Sequence, residues 1–181
     1  MASAKSNPQI ALKPQDLVVL LRLALPSNSA PTYAGLAAEL GLTASEIHAG
    51  LARAQVAQLV FKDAAEKPSL IKEALKQFVL YGARYVYPAV RGEMTRGFPT
   101  LYAAAPLKDK IVQPNEPPPV WPDKNGSVRG MAFYPLYPSV PYAVQRNPAL
   151  YELLVLFDAI RGGSARERAL AQEMLSERLS A

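Results

Sequence analysis

His48 is the single histidine in a chain of 181 residues that has no cysteine. Thiol nucleophiles, disulfides and zinc fingers are thereby excluded, and so is a metal cage or proton relay built from several histidines. Glu46 stands two residues from His48 and so on a different helical face. No glycine-rich phosphate loop and no metal-ligand pair at helical spacing accompanies them. The chain therefore reads as a protein that is not an enzyme, with no catalytic residue, no metal and no cofactor. What it does offer is non-covalent chemistry. Ser45, His48 and Arg53 can hydrogen-bond within one short stretch, and Arg84, Arg91 and Arg96 follow around Gly92 and Gly97. Such groups hold anions and polar edges; they do not break bonds.

The charge distribution points the same way. Of a formal +5, residues 1–66 contribute nothing, with five basic and five acidic side chains. Residues 67–112 hold eight basic and three acidic groups and supply the whole excess, while 113–146 add one charge and 147–181 remove one. A basic surface concentrated in one segment implies a polyanion, nucleic acid before acidic membrane. No membrane partner is expected, because the most apolar run, Leu17 to Leu25, is broken by Arg22 and is shorter than the ~20 residues a bilayer needs. Met1-Ala2-Ser3-Ala4-Lys5 has no signal-peptide character, which makes the cytoplasm the expected compartment.

The elements that must position these groups are mostly helical. Pro14 opens a helix over Gln15–Leu25 that carries seven Leu or Val, and Pro26 ends it before a loop, Ser27 to Pro31. Helices follow at Thr32–Leu40 and Ala44–Gln58, then at about Leu70–Tyr81, where Ile71, Leu75, Phe78 and Val79 share a face. Arg84-Tyr85-Val86-Tyr87 and Thr100–Ala104 read as strands flanking a basic loop. Gln113–Gly126, with five prolines, reads as an irregular arm. Residues 78–142 hold eleven of the fifteen aromatics, so that segment must pack against something. Asn147 caps a helix over Ala149–Arg161, and Ser164 with Glu167 forms a capping box for the last one.

Residues 33–52 carry the clearest pattern. Ala37 is small where two helices would cross, Gly41 supplies a tight turn, and Leu42 turns inward. Thr43 can cap the next helix with Glu46 as its reciprocal partner, and Ile47 and Leu51 return to the core one turn apart. Leu36-Ala37 through Leu51-Ala52-Arg53, continuing to Leu59-Val60, resembles the helix-turn-helix of bacterial transcription regulators, most nearly the winged-helix type of MarR-like proteins. That resemblance implies sequence-specific binding of double-stranded DNA. Thr43, Ala44, Ser45, His48 and Ala49 take the recognition positions, and Arg53 lies on a flank suited to a phosphate. Since this helix has Arg53 as its one basic residue, phosphate attraction must come from elsewhere. The basic loop carrying Arg84, Arg91 and Arg96 is the expected wing, displaced by the helix that intervenes.

The domain plan is a helix-turn-helix domain at 1–66, a helix with a basic wing-like hairpin at 67–112, a Pro/aromatic-rich segment at 113–146 and a helical pair at 147–181. The fold class is mostly α with a small β component: a winged-helix-like N-terminal domain and an α+β C-terminal half. Leu150, Leu153, Leu154, Phe157 and Ile160 make a stripe wide enough to suggest a homodimer interface. The alternative function is an antitoxin-like or adaptor protein that uses the same surfaces to hold a protein partner.

Overall fold

Pro14 fixes the first helical turn, and the Asp16 carboxylate accepts the Lys13 backbone N–H at 2.8 Å, which starts α1 (Pro14–Ala24). The computed structural model describes residues 9–27, 31–64 and 67–180; Met1–Lys5 and the loop residues Asn28–Ala30 lie outside the described residues. Thr32 caps α2 (Tyr33–Leu40) by accepting the Gly35 N–H, and Gly41 closes that helix at φ +66°. The Thr43–Glu46 box opens α3 (Ala44–Val56). Gln58, at φ +57°, then turns the chain into a short antiparallel hairpin. Its strands are β1 (Val60–Lys62) and β2 (Pro68–Leu70), with Val60 opposite Leu70 and Lys62 opposite Pro68.

After the hairpin, α4 (Lys72–Gln77), a π-helical turn (Phe78–Gly82) and α5 (Ala83–Val86) run on as successive helical segments. The expected strand at Arg84–Tyr87 is therefore corrected to helix. Val79, Ala83 and Tyr87 repeat every four residues toward the core, and the Tyr87 N–H donates to the Ala83 carbonyl at 2.8 Å. The helical spacing outweighed the local strand preference of Tyr and Val. The expected loop around Arg91–Arg96 is instead the longest strand, β3 (Arg91–Pro99), and the expected strand at Thr100–Ala104 is a 3-10 turn at Leu101–Ala103. Strand β3 pairs antiparallel with both β4 (Pro119–Pro122) and β5 (Val128–Phe133), which are parallel to each other, so the three close into a small barrel. Gly97 is required there: a Cβ would lie 1.9 Å from the Trp121 carbonyl oxygen. The glycines read as loop markers are points of close strand approach.

The chain ends in α6 (Val140–Val144), α7 (Pro148–Gly162) and α8 (Ala165–Ser180), with Asn147 capping α7 and Ser164–Glu167 boxing the start of α8. Helix α7 is the hub of the core, buried from Leu153 through Arg161, with α1, α5, α6 and α8 packed around it. Its stripe, Leu150 to Ile160, is at most 1% exposed within one chain. The expectation that this stripe covers a second copy is thereby corrected, because α1 and α7 bury their apolar faces on each other and their neighbours. Mostly α with a small β component describes the result, and among the described residues no helix is long and apolar enough to cross a membrane.

Two hydroxyls pin this core from its edges. Tyr87 donates to the Leu12 carbonyl at 3.1 Å and Tyr151 to the Pro99 carbonyl at 2.6 Å, and burial pushes each phenol up to about 12. An unfolded tyrosine ionises near ~10. The stabilising contribution should therefore be complete below that value and fall as pH rises toward 12, because the unfolded chain loses its protons first. An alkaline titration read by phenolate absorbance and circular dichroism should show both hydroxyls ionising late. Tyr151→Phe should flatten the alkaline loss of stability.

Candidate nucleic-acid interface

The ~100° step of a helix divides α3 into two faces. Ile47, Gly50, Leu51 and Ala54 are buried; Thr43, Ala44, Ser45, His48, Ala52 and Gln55 are exposed, and Ala49 is half-buried. Thr43 is committed to its cap: its hydroxyl accepts the Glu46 N–H and donates to the Glu46 carboxylate at 2.9 Å, which also accepts the Thr43 N–H at 2.8 Å. These hydrogen bonds hold Glu46 below the usual carboxylate range. The Ser45 and His48 side chains make no hydrogen bond among the described residues, so both remain available to a ligand. The His48 ring meets Tyr33 edge to face at 5.9 Å, and this aromatic contact fixes how the imidazole is presented.

Arg53 is placed differently from the phosphate-contacting role expected of it. Its Nε and Nη2 donate to the two oxygens of Asp16, each at 2.7 Å, and the Asp16 side chain is 1% exposed. Gly50 leaves room for that fork, since a Cβ there would lie 2.8 Å from Asp16 Oδ1. Arg53 therefore ties α3 to α1. Asp16, an acid in the first turn of α1, gave no local sign of this partner, because the Lys13 N–H already caps it.

The three arginines of the expected wing are not brought to α3's outer face. Arg84 lies over the Tyr85 ring at 5.1 Å, and Arg91 donates to the Gly162 carbonyl at 2.8 Å while standing over Phe133. Arg96 is on the barrel, where its position in β3 faces Arg129 in β5. What stands beside α3 is the β1–β2 hairpin. A groove of about 250 Å³ separates the two, lined by Tyr33, His48, Ala52, Gln55, Lys62 and Pro68. A second depression of about 320 Å³ adjoins it, sharing Tyr33, Leu51 and Pro68, with Thr32 and Lys67 on its border.

Lys62, Lys67 and Gln55 thus belong to the site, and sequence reasoning passed them over. Strands of three residues leave almost no alternation to detect. The arrangement offers hydrogen-bond donors and acceptors on a helix, two lysines together with Asp63 on a hairpin, and a trough between them. Among the described residues no carboxylate lines the groove beside His48. Comparison with protein-family models, curated proteins and solved structures finds no match to this chain.

Proposed function

We propose that the chain binds double-stranded DNA in a sequence-dependent way, as a transcriptional regulator. In this reading α3 enters the major groove and the β1–β2 hairpin lies along the adjoining backbone. One observation carries it: an exposed helix face bearing Ser45 and His48 stands across a groove from Lys62 and Lys67. The order of three helices followed at once by a hairpin supports a winged-helix-like reading, with β1 and β2 taking the part of the wing in place of Arg84–Ala104. Ser45 and His48 read base edges, Ala44 and Ala49 stand where a thymine methyl would be met, and the lysines neutralise phosphates. A two-fold operator would call for a homodimer, built from surface other than α7.

Titration of labelled duplex by fluorescence anisotropy tests this. Each neutralised phosphate contributes about −0.9 to the slope of log K against log salt. Lys62→Ala with Lys67→Ala should flatten that slope by about two such contacts and leave sequence preference largely intact. Ser45→Ala and His48→Ala should each remove ~1–3 kcal/mol of discrimination between selected and random sites. Ser45→Ala should leave thermal stability unchanged, because its side chain faces solvent, and His48→Ala should lower it only by the lost ring contact with Tyr33. No binding at low salt, or a slope near zero, removes the proposal.

A further inference from the structure

The barrel carries a second surface that DNA reading by α3 does not use. On its β3–β5 ribbon Met94 faces Met131 and Arg96 faces Arg129, all four exposed. Residues two apart on a strand share a face, so the two thioethers and the two guanidinium groups form one continuous strip. Next to it the Tyr134 ring packs over Gly92. Beyond lies a trough of about 300 Å³, whose rim includes Val86, Pro88, Val90 and Pro135. Val86, Val90 and Tyr134 are each about half exposed, at 54%, 54% and 48%. An apolar strip of this length on a protein surface marks an interaction site.

Charge says what covers it. Like charges placed directly opposite across two strands are unfavourable, and among the described residues neither Arg96 nor Arg129 has an ion pair or a side-chain hydrogen bond to relieve the other. A carboxylate brought between them would. We propose that this face docks a protein partner presenting an apolar ridge flanked by carboxylates. Arg, Met and Tyr are the residue types enriched at protein interfaces. Because β3 is paired on both sides, the partner meets side chains and does not add a strand. A phosphate backbone fits less well, since the arginines border thioethers and an apolar trough. A two-fold copy would set this patch on itself, arginine against arginine.

Random peptides displayed on phage and panned against the full chain, with Arg96→Glu/Arg129→Glu protein as the counter-selection, test the proposal. The recovered sequences should place Asp or Glu on either side of a large apolar residue. A synthetic peptide of that sequence should bind the native chain with affinity that falls as salt rises. It should weaken on the order of tenfold against the charge-reversed protein and against Met94→Ser/Met131→Ser. Arg96→Gln/Arg129→Gln replaces the reversal if circular dichroism shows that the reversal unfolds the chain. Peptides that bind native and altered proteins equally, or no recovered peptide, overturn the proposal. So does a salt slope for duplex DNA that drops by two contacts in the arginine variant, which would make this a phosphate-binding face. Conversion of a dimer to a monomer by the methionine substitutions, seen in sedimentation equilibrium, overturns it in favour of a second copy.

Discussion

Arg53→Ala is expected to lower the free energy of unfolding by about 3 kcal/mol, the range seen when one partner of a buried ion pair is removed. The Asp16 carboxylate is 1% exposed and accepts both arms of the guanidinium fork, with the Lys13 N–H as its third donor. Removing the fork leaves a buried charge with a single hydrogen bond. Arg53→Lys should recover only part of the loss, because an ammonium is a point charge and cannot span two oxygens. Asp16→Asn combined with Arg53→Met should come close to the native value, since both charges leave together. Urea denaturation of the four proteins decides this. The same substitution separates two roles for Arg53. If it held a phosphate, Arg53→Ala would keep its stability and lose about one contact from the salt slope of DNA binding; that result would reverse the placement argued above.

The difference between the two readings of Arg53 shows what a sequence discloses. The turn at Gly41, the Thr43–Glu46 box and the inward set Ile47, Leu51 and Ala54 depend on residues within one or two helical turns, and all were legible. So were the caps at Asn147 and Ser164. Asp16 and Arg53 are 37 positions apart, and nothing local says that they meet. The barrel was hidden for the same reason. Strand β3 exists because β4 and β5 come from beyond residue 118 to pair with it, and its glycines mark contact with those strands. Local chemistry at Arg91–Gly97 could only suggest a loop. The apolar stripe of α7 was assigned to a second copy because its packing on α1 and α8 is likewise non-local. The groove beside α3 was half legible: its helix wall came from pattern, while its hairpin wall rests on two strands of three residues each.

Asp158→Ala is expected to be more damaging, at about 4–5 kcal/mol, the upper end for a broken buried pair. Its carboxylate lies in the C-terminal half of the hub helix and is 1% exposed. It accepts Arg161 Nε at 2.7 Å and the Thr100 hydroxyl at 2.9 Å, and the Trp121 indole N–H as well. Burial pushes this carboxyl up, against Arg161 and the two neutral donors, which favour its charged form. With the carboxylate gone, three donors are orphaned at once, and Arg161 is left charged with the Tyr134 and Pro88 carbonyls as its remaining partners. Asp158→Asn keeps an acceptor for the indole and the hydroxyl, so its loss should be smaller, nearer the ~1–3 kcal/mol of an unsatisfied polar group. Trp121 is the only tryptophan, so its emission reports this network directly and should shift in the Asn variant while the fold persists. Because α1 packs on α7, α1–α3 should unfold together with the barrel. Trp121 emission and helical circular dichroism should therefore share one denaturation midpoint in each variant, lowered further in Asp158→Ala than in Asp158→Asn. A native midpoint in Asp158→Ala sinks the assignment of this network as the anchor of the core. Two separated midpoints would make α1–α3 and the hairpin a unit that folds without α7.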